Sequence, residues 1–257
     1  MTVEQLIEAL ALPAGSLQDQ IISKALLSEH APTAALRRLV AERVEQTRWV
    51  AQLTPANLGV PAHAATDRAY LQLTVCHLRI RPGAKTGKLS ELVHRAIPHP
   101  VLLLVDGTFA PVISVAHKRR SQAEADKTVL LEGQAFEASL DGLPAHVLAA
   151  FAKTLPAAQQ PRRDLLAFYT GYQYAIQALD VARATGTFAL ETGAERVALR
   201  HGQVGRLAEI NEEIGRLQRL AKTEKRVAKL TEINDEYSRL RTERTILIDR
   251  LQASHPR

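Results

Sequence analysis

Only one cysteine, Cys76, occurs in the 257 residues, so neither a disulfide framework nor a thiolate metal site can be built from this chain, and a reducing compartment is expected. Long apolar runs are missing too: none approaches the roughly eighteen residues that a membrane-spanning helix needs. The first twelve residues, with Glu4 and Glu8, lack the basic start and apolar stretch of a secretory signal. A cytoplasmic protein without membrane contact is the expectation. Aromatic residues make up 4%, too few for a surface that stacks bases, and Tyr169, Tyr172 and Tyr174 fall on an expected helix where packing accounts for them. No phosphate-cradling loop is present, because Gly83-Ala84-Lys85-Thr86-Gly87-Lys88 has the composition without the spacing. No cofactor is expected.

What is present suits a folded chain. Hydrophobic residues at 46% and charged residues at 23% support a sizeable core in one domain or two small ones. The net charge of +6 and a pI near 9.6 permit a polyanionic partner without demanding one. Residues 191–257 hold fourteen Lys or Arg against eleven Asp or Glu, so the surplus is shared by the arm and the body rather than concentrated in a basic tail.

Thr2 and Gln5 form a capping-box pattern ahead of Val3, Leu6, Ile7 and Leu10, which predicts a short helix closed by Pro13. A second amphipathic stretch over Leu17 to Leu27 follows. A third helix is expected from Pro32 with Leu36, Leu39, Val40, Val44, Val50 and Leu53 inward, ending before Thr54 and Pro55. Two helices joined across Glu29 to Pro32 have the order of a DNA-reading helix-turn-helix, although ordinary packing produces the same order. From Tyr70 to Ile80 the pattern changes to alternation, a strand. A loop over Arg81 to Lys88, a helix over Leu89 to Ala96 and a strand over Val101 to Val105 come next. Asp106-Gly107 predicts a tight two-residue turn with both residues at positive φ, returning Phe109 to Ala116 antiparallel. A further strand within Thr128 to Leu140, a helix over Ala145 to Leu155 and helices from Arg162 to about Ala184 complete the middle. The fold class is therefore α+β: an N-terminal helical segment (residues 1–64), a small, mostly antiparallel central sheet with a helical return (65–190), and a C-terminal helical coiled-coil arm (191–257).

The arm carries two apolar seams. Leu207, Ile210, Ile214 and Leu217 form one; Leu230, Ile233, Tyr237, Leu240, Leu247 and Leu251 form the other, with Arg244 in its single gap. Continuing the first seam by heptads leads to position 228, two residues short of Leu230. Two extra residues turn a helical stripe by about 200°, so one straight helix cannot present both seams to one partner. Either the chain folds back within Lys222 to Lys229 as a hairpin, or a continuous helix meets two surfaces. Both seams read as surfaces for a partner, a second copy included.

Chemistry is harder to assemble. His94, His99 and His117 are the zinc-ligand candidates among nine histidines, but their spacing follows no ligand pattern. A restriction-type nuclease needs strand-borne acids and a lysine, and Asp106 and Glu132 are the acids available; Glu132 precedes Gly133-Gln134 rather than a lysine. Ser114 and Ser139 lie in no nucleophile elbow. Positive charge is the better candidate: Arg79, Arg81, Lys85 and Lys88 follow one strand, and Lys118, Arg119 and Arg120 follow another. If the strands are neighbours, the two groups share adjoining loops and contact phosphates without reading bases.

The run Trp49-Val50-Ala51-Gln52-Leu53-Thr54-Pro55-Ala56-Asn57-Leu58, the segment Ala96-Ile97-Pro98-His99-Pro100-Val101-Leu102-Leu103, and Glu224-Lys225 with Leu230 and Asn234 resemble the bacterial family catalogued as domain of unknown function 4391. The similarity covers about residues 12–251 and departs from the family pattern at Ser23 and at Gln52, where a Lys is usual. The resemblance implies a gene placed beside a DNA methyltransferase and a helicase, hence a role in anti-phage defence or restriction, and brings no catalytic residues with it. The function expected is that of a non-catalytic accessory subunit associating through its arm. A metal-dependent nuclease subunit and a DNA-binding regulator are the alternatives.

Overall fold

Leu73–Ile80 is buried on both faces at every residue but Arg79, and a strand of that kind belongs in the middle of a sheet. The computed structural model, which describes residues 1–120 and 129–253, places it there. In chain order the first unit, Met1–Ile176, contains α1 (Val3–Ala9), β1 (Leu17–Ile22), α2 (Lys24–Glu29), α3 (Ala34–Arg43), β2 (Val44–Leu53), α4 (Pro55–Leu58), β3 (His63–Ala64), β4 (Ala69–Tyr70) and β5 (Leu73–Ile80). It continues through α5 (Thr86–Ala96), β6 (Val101–Asp106), β7 (Val112–Val115), β8 (Lys118–Arg120), β9 (Val129–Leu131), β10 (Phe136–Ser139) and α6 (Ala145–Ala152). Helix α7 (Leu165–Thr185) runs from this unit into the second, Gln177–Arg257, which holds α8 (Ala194–Thr223) and α9 (Val227–Ala253).

The main sheet has six strands in the order β1-β2-β5-β6-β7-β10, antiparallel throughout except where β5 and β6 run parallel. Helix α5 makes that one crossover. Its Leu89, Leu92, Val93 and Ala96 recur at helical spacing and are buried with Leu27, Val40, Cys76, Leu78, Ile80, Leu103 and Val105, so α2, α3 and α5 share one core with the sheet. The edges are β1 and β10; at β1 the ladder to β2 shifts between Leu17 and Gln20 and Asp19 takes φ 49°, pairing with Arg48. A bulge and a charge at an edge discourage pairing with another chain.

Four expectations need correction. The amphipathic stretch over Leu17 to Leu27 is β1 followed by α2, and the long helix from Pro32 stops at Arg43 and becomes the ten-residue strand β2. The segment over residues 1–64 thus contributes two strands to the sheet. No Pro or Gly marks the change; Val44, Thr47, Trp49 and Val50 favour a strand once β1 and β5 offer partners on both sides. The Asp106-Gly107 turn is also not the expected one. Asp106 ends β6, only Gly107 has positive φ (95°), and the chain returns at Val112, which pairs with Val105. The strand expected within Thr128 to Leu140 is two strands, β9 and β10; Thr128 itself lies outside the described residues.

In the second unit the chain folds back at Glu224–Arg226, as a hairpin. With neither Gly nor Pro at hand, the Glu224 carboxylate accepts hydrogen bonds from the backbone N–H of Lys225 and of Arg226, both at 2.9 Å, and pairs with the Arg226 guanidinium at 3.2 Å. Ile210 and Leu217 of α8 then pack against Ile233, Leu240 and Leu247 of α9, with Ile214, Ala221 and Tyr237 alongside. Val181, Leu207 and Leu251 make a second cluster, where Arg200 donates to the Leu251 carbonyl at 3.2 Å.

Candidate functional site

The register separates the two groups of basic residues. Arg79 lies at the C-terminal end of β5 beside Asp106, and β7 runs antiparallel to β6, so its C-terminal end, from which Lys118 to Arg120 follow, lies at the opposite end of the sheet. Arg79 pairs with Asp106 at 3.4 Å. Arg81, Lys85 and Lys88 are exposed at one end and Arg119 and Arg120 at the other, so they cannot form one phosphate surface. Lys118 leaves the list altogether. It is 3% exposed, its ammonium donates to the carbonyls of Ile97 and His99, and it caps the C-terminal end of α5, where a cation is favoured. Burial pushes its pKa down to about 7.

The two arm seams are likewise not free. Leu207, Ile210, Leu217, Ile233, Leu240, Leu247 and Leu251 are all 9% exposed or less, and Ile214, Tyr237 and Leu230 are half-buried. The helix is broken at Glu224–Arg226, and the two seams face one another across the hairpin. Each is the other's partner.

Some of the buried polar groups of the first unit are joined in hydrogen-bonded chains, whereas His77 Nε2, Ser90 and the Tyr172 hydroxyl are buried without a hydrogen-bond partner among the described residues. His117 Nε2 donates to Gln173 Oε1 at 2.5 Å, which leaves Nδ1 to accept from the Tyr70 hydroxyl at 2.7 Å, while that hydroxyl accepts from the Lys118 backbone N–H at 3.2 Å. This network needs a neutral imidazole, and burial lowers the His117 pKa accordingly. Tyr169 donates to the Val101 carbonyl at 2.7 Å and accepts from the Ala116 N–H at 2.9 Å, joining α7 to the sheet. His94 is buried with Nε2 2.9 Å from the Ser114 hydroxyl, and burial pushes its pKa down to about 3. Cys76 is pushed up to about 12 by burial, far from a thiolate nucleophile.

The remaining candidates stay apart. Asp106 ends β6, whereas Glu132 donates its N–H to the His117 carbonyl and pairs with Arg68 at 2.5 Å, at the other end of the sheet. With strands rising about 3.3 Å per residue, they are separated by about 13 Å or more, too far to share an ion. Among the described residues no group of three or more His, Cys, Asp or Glu is placed to hold a metal, and no helix is long and apolar enough to cross a membrane.

One concentration of charge escaped the count over the whole arm. Residues 215–231, the hairpin bend with its flanking turns, contain Arg216, Arg219, Lys222, Lys225, Arg226 and Lys229, all exposed, against one acid, Glu224. A window centred on the bend reveals it; a count over 67 residues averages it away, because the rest of the arm is slightly acidic, eight cations to ten acids.

The motifs that carried the family resemblance are local architecture. Thr54 and Asn57 form a reciprocal cap on α4, which ends at Gly59 in the left-handed region, and Ile97 and His99 supply the carbonyls that Lys118 caps. Ser23, one of the departures, caps α2; Gln52, the other, donates to Gln72 at 2.6 Å. A family model described as Domain of unknown function (DUF4391) matches residues 10–243. No curated protein and no solved structure matches the chain.

Proposed function

Since the chain belongs to the family of DUF4391 proteins, whose description assigns no activity, we propose from its geometry that it is a non-catalytic accessory subunit of a cytoplasmic anti-phage defence or restriction assembly. It joins its partners, a DNA methyltransferase and a helicase, through the outer faces of the hairpin arm. The observation that carries this reading is the hairpin itself: helices of 30 and 27 residues whose apolar seams close on each other within a unit of their own. Such an element is stiff without a partner and leaves its outer faces for recognition, where Leu199 is 63% and Ile246 45% exposed among charged neighbours. Exposed apolar anchors ringed by charge suit a protein contact.

Co-expression of the full chain with the DNA methyltransferase and the helicase proposed as its partners, followed by size-exclusion chromatography, tests the reading. Co-elution is expected, and Leu199→Asp with Ile246→Asp is expected to abolish it without changing the helical circular dichroism. Separate elution of the wild-type proteins, or retention of the complex by the double variant, would reject the proposal.

A further inference from the structure

Cations at the end of α8 have an ordinary explanation, because the negative end of a helix dipole favours them, and Arg219 and Lys222 sit there. The same argument fails across the bend. Lys225, Arg226 and Lys229 crowd the beginning of α9, the positive end of its dipole, and its first turn has no acidic residue. Helix stability alone would place acids there, not bases. Ion pairing does not account for them either. Glu213 pairs with Arg216 at 2.5 Å and Glu224 with Arg226 at 3.2 Å, but Arg219, Lys222, Lys225 and Lys229 have no acidic partner within 4 Å among the described residues. The one acid of the bend, Glu224, is half-buried and engaged with two backbone N–H groups. Four cations without a direct ion pair, of which Lys229 lies near enough to Glu224 to help lower its pKa, therefore surround a turn whose backbone N–H groups the Glu224 carboxylate holds.

We infer that the bend of the hairpin binds the phosphate backbone of duplex DNA, with Arg219, Lys222, Lys225 and Lys229 as the phosphate contacts. Charge complementarity selects a polyanion, and the details select a duplex. Arg219 and Lys222 stand three residues apart, about 4.5 Å of helix rise, compact enough to meet a backbone whose duplex carries one charge per ~1.7 Å of axis. No aromatic residue occurs between residues 215 and 231, so the base stacking that single strands demand is absent. Two packed helices with axes about 8–10 Å apart, side chains included, are wider than a major groove of about 12 Å; the bend rides on phosphates without reading bases. A lipid surface is the weaker fit: Leu220 and Val227 are the large apolar side chains exposed at the bend, and the seams that would make an apolar face are closed.

This contact needs no protein partner, so it is tested on the full chain alone. Fluorescence anisotropy with a labelled 30-base-pair duplex of arbitrary sequence, titrated between 50 and 200 mM salt, reads both affinity and its salt slope. The quadruple variant Arg219→Gln, Lys222→Gln, Lys225→Gln, Lys229→Gln keeps good helix formers and leaves the apolar side chains of the hairpin core in place. It is expected to lose at least tenfold in affinity at 50 mM salt and to flatten the slope of log affinity against log salt by up to about 3.6, at about 0.9 per phosphate contact. Arg119→Gln with Arg120→Gln is expected to leave both unchanged, and unrelated duplex sequences are expected to bind alike. The inference is overturned by no binding at 50 mM salt, by an unchanged slope in a quadruple variant of native helicity, or by tighter binding to single-stranded DNA, duplex RNA or phosphatidylserine vesicles. Complex formation with the two proposed partners is scored separately, so either proposal can fail alone.

Discussion

Replacing Gly107 is the most severe single change we expect in the first unit. A Cβ at this position would lie 1.6 Å from the Ile80 carbonyl oxygen and 2.7 Å from its carbon, with φ at 95°. Ordinary C···O contact is about 3.3 Å, so the ends of β5 and β6 would have to part by about 1.7 Å. That movement threatens the Arg79–Asp106 rung, the hydrogen bond from Arg81 N–H to the Arg43 carbonyl at 2.8 Å, and the packing of Ile80, which is 1% exposed. Positive φ costs a side-chain-bearing residue about 1–2 kcal/mol, and each backbone hydrogen bond lost about 1 kcal/mol. With the core disturbance, Gly107→Ala should destabilise by about 3–5 kcal/mol, a midpoint drop of about 6–20 °C for a unit of this size. Gly107→Asn is the sharper test, to be read by thermal circular dichroism with Asp106→Asn as control. In a two-residue turn Asn accepts the left-handed conformation and the change would be nearly neutral; against the Ile80 carbonyl it should be as harmful as Ala. Asp106→Asn removes the charge from a half-exposed ion pair with Arg79 and from the carboxylate beside His77 but keeps an oxygen for the Gly107 N–H, and should cost less than about 1 kcal/mol. A Gly107→Asn protein melting within 2 °C of the wild type would refute the close approach.

Leu240, 4% exposed between α8 and α9, should lose about 2–5 kcal/mol of hairpin stability on change to Ala, and Leu240→Asp should reduce the helical circular dichroism and open α9 to protease. Full helicity in Leu240→Asp would mean that the seam faces outward. His94 carries a pH dependence. Burial lowers its pKa from 6.5 to about 3, so between these values the unfolded chain holds a proton that the folded chain refuses, and stability falls as the pH drops below 6.5. The slope is at most about 1.4 kcal/mol per pH unit; denaturant midpoints at pH 7 and pH 5 should differ less in His94→Gln, and an equal difference would remove His94 from the acid response.

Much of this architecture is local enough to read from residue order. The capping box at Thr2, the alternation over Leu73–Ile80, the apolar run of β6 and the phase offset between the arm seams each follow from the 3.6-residue or two-residue period of one element, and each recurs in the structure. The offset left two arrangements, a hairpin or a continuous helix meeting two surfaces, and the structure has the hairpin. What residue order leaves open depends on partners distant in the chain. Residues 44–53 carry helical and strand signals together, and pairing with β1 and β5 decided between them. Gly107 has its neighbour 27 residues away, at Ile80. Lys118 looks like the first residue of a basic loop until the fold brings the end of α5 against it. The basic groups parted because β5 and β6 run parallel while β7 runs back, and strand direction is set by the crossover through α5, which no charge pattern records. Local periods determine the elements; long-range pairing and burial decide which face, which end and which neighbour each side chain receives.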